Sequence, residues 1–345
     1  MIAVRKLKPA PGLDLTTAKI PKIGKNDVLV KVRACSICGS DIHIYSWDSA
    51  LSQRIKPPRT IGHEVAGDVV EIGKEVTSVQ VGDYISAESH IACGCCYQCK
   101  NGKPHICKTM KILGFDVDGG FAEYVSIPAV NAWKNPKDMP PEIATIEEPM
   151  GNSVYTVEMG DVKGKVVTIF GCGPTGLFAV GLARYEGAEK IIAIDGKEFR
   201  LNIAKKMGAD LVINSAEVDV VKEIMDATDG LGADVFLEMS GSPIAIENGF
   251  KTLKPGGKVV ALGLPKDPIK FDWSNYVVTK LATVQGIFGR EMFHTWERMS
   301  KILSSKKLDL TPIITHRFKL TEFDKAIEAA KSGDAGKVVM FPKKN

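Results

Sequence analysis

Cys93, Cys96, Cys99 and Cys107 spell C-x-x-C-x-x-C-x7-C within fifteen residues. Two successive two-residue gaps recur where thiolates must converge, and four thiolates complete a tetrahedral zinc site with no open position. Such a site is structural. A second set of ligand types is spread more widely. Cys38 sits before a glycine in CSICGSDIH, His63 and Glu64 sit in IGHEVAG, and Glu148 sits in EEPMGN. A thiolate, an imidazole and a carboxylate are three protein ligands of the kind a catalytic zinc takes, with a fourth position for water or substrate. A histidine beside a glutamate is by itself more often a plain polar pair. It gains weight here because the cysteine loop already marks a zinc protein. Two zinc ions per chain are expected, one structural and one catalytic. Three cysteines remain. Cys35 and Cys172 read as small hydrophobes, and Cys95 lies inside the loop but off its register, which Cys96 fits better.

The run VVTIF is followed directly by Gly171-Cys172-Gly173-Pro174-Thr175-Gly176. A lone GxGxxG is weak evidence. This one ends a strand pattern, opens a helix pattern, and precedes an acidic residue, Asp195, at the end of the next strand pattern. Gly171 makes the tight turn, Gly173 admits the backbone to a pyrophosphate, and Gly176 lets helix and strand approach. The run from Gly171 to Gly176, Thr175 included, would hold the phosphates at a helix N-terminus. Asp195 should accept hydrogen bonds from the adenosine ribose and repel a 2′-phosphate, so NAD is expected over NADP. Arg200 could stack on adenine or attract that phosphate. The loops at Leu262-Gly263-Leu264 and Ile287-Phe288 follow later strands of the same pattern, where the nicotinamide half should lie.

Elements must place these groups. Residues 1–150 read as β-rich, with alternating runs such as DVLVKVRA and VAGDVVEIG broken by Gly, Pro and Asp. From Lys163 apolar strands alternate with amphipathic helices, which argues for a doubly wound parallel sheet. The strand-like tail, PIITHRFKL and GKVVMFP, resembles the first region again. The reading is α/β plus β: residues 1–150 with 290–345 form a β-rich domain carrying a cysteine lobe at 90–110, and 151–289 form the dinucleotide domain. The chain has 345 residues, 44% apolar and 25% charged, with a net charge of +4. That charge is too small to argue for nucleic acid, and the cysteine lobe lacks a basic helix. No run suits a membrane span or a signal peptide, so the chain is expected in the cytoplasm with neither membrane nor nucleic-acid partners. Eight cysteines there point to metal or catalysis before disulfides.

GHE, the cysteine lobe and the Gly-rich turn occur in the order found in the zinc-dependent medium-chain alcohol dehydrogenases, which the chain resembles over essentially its whole length. The resemblance implies a GroES-like catalytic domain and a Rossmann NAD-binding domain. CGSDIHIYSWD, FAEYVSIPAVNAWK, EPMGN, GREMFHTW and PIITHRF narrow it to members acting on L-threonine. A polyol or simple diol substrate is the alternative, and a catalytically silent NAD-binding relative is a second. The resemblance further implies a proton relay through Ser40 and His43, a substrate-discriminating role for His90, nicotinamide contacts at Leu262–Leu264 and Ile287–Phe288, and a homotetramer. Glu148 is either a transient fourth zinc ligand or a proton acceptor. Some members of that branch carry Asp at this position. Arg290 and Glu291 read as intersubunit pairs or as residues at a cleft edge.

Overall fold

The computed structural model describes residues 1–48 and 50–342. The chain divides into two compact units, one of Met1–Pro149 with the chain from Ile314 onward, the other of Met150–Ile313. The return to the first unit thus comes at Ile314, later than position 290. The helix His294–Ser304 buries Thr295, Trp296, Met299 and Ile302. The turn Thr311–Ile313 packs on the helices Pro174–Tyr185 and Glu198–Lys206, so this stretch stays with the second unit.

In the first unit a seven-stranded sheet runs in the order Ala132–Lys134, Tyr84–Ala87, Glu64–Ile72, Asp27–Ser36, Lys337–Phe341, Ile314–Lys319, with Tyr124–Pro128 also paired to Asp27–Ser36. The central strand has the β-branched alternation DVLVKVRACS and buries Val28, Val30 and Val32. The core gathers these with Ile61, Phe121, Phe323 and Met340. The late strand Lys337–Phe341 lies antiparallel to Asp27–Ser36, with Val339 opposite Ser36, while Glu64 lies opposite Ser36 on the other side. Three stretches far apart in sequence therefore meet at Ser36.

In the second unit six parallel strands run in the order Leu211–Asn214, Lys190–Asp195, Val166–Phe170, Ala233–Glu238, Leu253–Ala261, Thr283–Gly286. The inner strands are almost wholly buried, as a sheet covered by helices on both faces requires. Phe170, Phe236 and Phe250 stack edge to face beneath one layer, at 5.0 and 6.0 Å between ring centroids. Each such ring contributes about 1.5–3 kcal/mol by burial. The strand order reverses between Val166–Phe170 and Ala233–Glu238, so a crevice opens at the carboxyl ends there. No helix among the described residues is long and apolar enough to cross a membrane.

Candidate zinc and dinucleotide sites

The sulfurs of Cys93, Cys96, Cys99 and Cys107 all lie within 4.8 Å of one another. Cys96 Sγ is 3.5 Å from Cys99 Sγ and 3.8 Å from Cys107 Sγ. Four thiolates each about 2.3 Å from one zinc stand about 3.8 Å apart, so the spacing fits the ion. Backbone amides supply part of the preorganisation: Cys93 N–H points at Cys107 Sγ and Cys96 N–H at Cys93 Sγ. Hydrogen bonds from the Cys95 amide, the Thr109 hydroxyl and the Cys96 amide hold the Cys93 thiol down at about 5, ready to ligate as thiolate. Cys95 is exposed and stands outside the four. Cys35 and Cys172 are fully buried, as small hydrophobes would be.

Cys38, His63 and Glu64 offer ligand atoms within 4.8 Å of one another. Cys38 precedes the helix Gly39–Ser46, whose third residue, Asp41, accepts the Cys38 N–H at 2.9 Å. His63 ends a loop just before the strand Glu64–Ile72, and the edge of Phe115 packs on its ring at 5.5 Å. His63 Nδ1 and Glu64 Oε1 are buried without a hydrogen-bond partner among the described residues. Burial opposes a charged His63 ring, yet Asp41, Cys38 and Glu148 outweigh it and raise its pKa to about 10. Asp41 is itself fully buried, and desolvation pushes its carboxyl up to about 6 despite the neighbouring His63. A pocket of thiolate and carboxylates with unmet lone pairs is what a divalent cation with nitrogen, sulfur and oxygen ligands fits. Glu64 can give that ion only one oxygen. Its Oε2 accepts from the Ser36 hydroxyl and forms a buried ion pair with Lys337, whose Nζ also donates to Ile37 O at 2.8 Å.

The remaining expected residues of this unit fall into three places. Ser40 and His43 lie one turn apart on the helix Gly39–Ser46. His43 is exposed, and its Nδ1 is 2.9 Å from Asp48 Oδ1, so a proton reaching this ring can leave to solvent. Glu148, 5% exposed, lies in the first turn of the helix Glu147–Gly160 and accepts from the Ser89 hydroxyl at 2.5 Å. His90 is buried on the short strand His90–Ile91, with Glu88 Oε1 accepting its backbone N–H at 2.7 Å and standing 3.8 Å from its Nδ1.

In the second unit a cleft of about 420 Å³ is lined by Gly171, Asp195, Ser215, Ser240 and Ala245 among others. The three glycines are there for three different reasons. Gly171 has φ +96°, and a Cβ on it would stand 2.8 Å from Ser240 Cβ. A Cβ on Gly176 would stand 1.8 Å from Gly171 O. A Cβ on Gly173 would meet nothing within 4 Å, so that space is open to a ligand at the N-terminus of the helix Pro174–Tyr185. Asp195 is oriented by the Cys172 N–H at 2.8 Å and the Lys197 N–H at 3.0 Å, and Arg200 lies 3.6 Å away. Leu262–Leu264 and Ile287–Phe288 follow the last two strands on the far side of the reversal. Arg290 is 1% exposed, bonds Asn152 Oδ1 at 3.2 Å and lies over the Trp296 ring. These contacts within the unit replace the surface role expected of Arg290.

Residues 24–137 match the alcohol dehydrogenase GroES-like domain, and residues 174–305 match the zinc-binding dehydrogenase domain. The L-threonine 3-dehydrogenase of Pyrococcus furiosus is 50% identical over 344 residues, 99% of each chain. The chain belongs to the zinc-dependent medium-chain alcohol dehydrogenase family. Solved structures agree. A dehydrogenase of Escherichia coli CFT073 complexed with NADH superposes with TM-score 0.90 at 28% identity, covering 99% of both chains. A zinc-binding dehydrogenase of Sinorhizobium meliloti bound to NADP superposes with TM-score 0.91 at 30% identity, with the same coverage. As a zinc-dependent medium-chain dehydrogenase, the protein is an oxidoreductase of the zinc- and nicotinamide-using kind.

Four residues of this dehydrogenase escaped the sequence reading: Asp41, Ser36, Ser89 and Lys337. Asp41 had a local signal, since an acid three residues after Cys38 sits where it can accept the first amides of a helix. Ser89 adjoins His90, but nothing local ties it to a carboxylate 59 residues on. Lys337 is 273 residues from Glu64, and only the strand pairing at Ser36 brings them together.

Proposed function

We propose that the enzyme oxidises L-threonine at its C3 hydroxyl to L-2-amino-3-oxobutanoate, with NAD⁺ as hydride acceptor. The observation that carries the substrate is the 50% identity, across 99% of both chains, to the L-threonine 3-dehydrogenase of Pyrococcus furiosus. Zinc supplies the Lewis acidity that makes the hydroxyl acidic near neutral pH, and the nicotinamide ring supplies the acceptor carbon. Cys38, His63 and Glu64 would hold the catalytic ion, and Cys93, Cys96, Cys99 and Cys107 the structural one, two per subunit. Asp41 places a carboxylate 3.7 Å from His63 Nδ1, and Lys337 with Ser36 engages one Glu64 oxygen, leaving the other for the ion. Ser40 takes the hydroxyl proton, and His43 passes it to solvent beside Asp48. Glu148, held by Ser89, serves as a transient ligand or as a proton acceptor. His90 lies two residues beyond Glu88 and discriminates among substrates. Gly171, Gly173, Thr175 and Gly176 bring backbone amides to the pyrophosphate, Asp195 receives the ribose hydroxyls, Arg200 stacks on the adenine, and Leu262–Leu264 with Ile287–Phe288 meet the nicotinamide half. Asp195 is fixed in place by two backbone donors, which favours NAD over NADP. The working form is a cytoplasmic homotetramer.

The test follows NADH absorbance with L-threonine, sorbitol and 2,3-butanediol in parallel, repeated with NADP⁺. The expected result is turnover of L-threonine with NAD⁺ at least about tenfold above any other pairing. A preference for sorbitol or the diol overturns the substrate, and equal use of NADP⁺ overturns the role of Asp195.

A further inference from the structure

We infer that Ser89 is a positioning residue for Glu148, an inference that rests on the part proposed for Glu148 above. The Ser89 hydroxyl donates to Glu148 Oε1 at 2.5 Å, and the two side chains are 1% and 5% exposed. A hydroxyl given to an ionised carboxylate makes a short bond about twice as strong as a neutral one. Both partners are shielded from water, so little competes with it.

Ser89 is itself held through its carbonyl and through both neighbouring residues. Its carbonyl accepts the Leu113 N–H at 2.9 Å, and the Glu88 N–H donates to Asn131 O at 2.8 Å. The Asn131 amide donates to Glu88 O and to His90 O, each at 2.8 Å. The Glu88 carboxylate closes the loop by accepting the His90 N–H at 2.7 Å. Glu88 and Asn131 are 1% and 2% exposed, so these bonds are dry. A three-residue stretch pinned this way cannot follow a moving carboxylate. It fixes Glu148 instead, and the same clamp sets the backbone of His90. Glu148 lies within electrostatic reach of His63. A carboxylate that exchanges with water at a metal, or takes a proton from it, needs its reach fixed to a fraction of an ångström, and a support that lets it wander costs turnover rather than binding.

The test compares Ser89→Ala, Ser89→Thr, Glu148→Ala and the Ser89→Ala/Glu148→Ala pair in the zinc-loaded enzyme, reading kcat, the KM for L-threonine, thermal midpoint and zinc content. The expected result is a kcat about tenfold lower in Ser89→Ala with KM within about twofold, zinc content unchanged, recovery of most of the rate in Ser89→Thr, and no further loss when Ser89→Ala is added to Glu148→Ala. Wild-type kcat in Ser89→Ala beside an impaired Glu148→Ala overturns the inference alone. An equal loss from Ser89→Ala in both backgrounds also overturns it, because the hydroxyl would then support the fold and not the carboxylate. Wild-type turnover in Glu148→Ala overturns the part given to Glu148 itself.

Discussion

Glu147 is 1% exposed, and neither carboxylate oxygen has a hydrogen-bond partner of good geometry among the described residues. Burial raises its pKa from 4.5 to about 7, with Ser86 and Asn135 easing the shift only in part. The sign follows from which state holds the proton. Between pH 4.5 and 7 the folded protein keeps a proton that the unfolded chain has released, so stability falls as pH rises through this window and levels off above it. A shift of this size is worth about 3 kcal/mol. Glu147→Gln should remove that slope and leave the variant the more stable protein above pH 7. Thermal midpoints of both proteins from pH 4.5 to 8.5 check this, and parallel curves would refute it. At the same scale the ligand types were legible in the sequence, because the cysteine loop marks a zinc protein and so gives Cys38, His63 and Glu64 a use that each alone would not suggest. Their supporting residues were not. A serine or lysine has no signature until its partner is known.

The Gly-rich turn and the helix Pro174–Tyr185 act as one element, and two of its glycines should separate by experiment. Gly176→Ala places a Cβ 1.8 Å from Gly171 O, so the helix must move off the strand. It should lose about 1–3 kcal/mol of stability and with it NAD⁺ affinity. Gly173 has φ −62° and open space where a Cβ would go. Gly173→Ala should keep the thermal midpoint of the free protein and still raise the KM for NAD⁺ about tenfold or more, since the methyl group occupies room meant for phosphate. Thermal melts and NAD⁺ kinetics on both variants decide the matter, and equal effects on stability would refute the division of roles. The strand–turn–helix element was readable from sequence because periodicity and glycine spacing are local properties. The stretch after Arg290 was misplaced because a helix pattern does not say which sheet it will cover. Trp296, Met299 and Ile302 settle it by being buried in the second unit.

The two proposed zinc sites, on separate stretches, should respond differently to chelation. The cysteine set would close around its ion with four thiolates, while the other set offers three ligands, one of them a carboxylate paired with Lys337. Mild chelation should therefore remove one zinc per subunit first, abolishing turnover with little change in thermal midpoint. Loss of the second should lower the midpoint by several degrees, because the lobe around Cys93–Cys107 has little apolar core of its own. Zinc content against activity and melting temperature checks the order, and loss of both ions in one step would refute it.

Sequence alone determined the chemistry available to this protein. Ligand types, glycine spacing and the alternation of strands with helices are encoded within short windows, and their order along the chain identified the family. Tertiary structure decided how each group is held. Asp41 behind His63, Ser89 on Glu148, and Lys337 on Glu64 are contacts between residues 22, 59 and 273 positions apart. Only sheet register and burial produce them, since a buried charge or hydroxyl must find a partner and the fold alone determines which one is within reach.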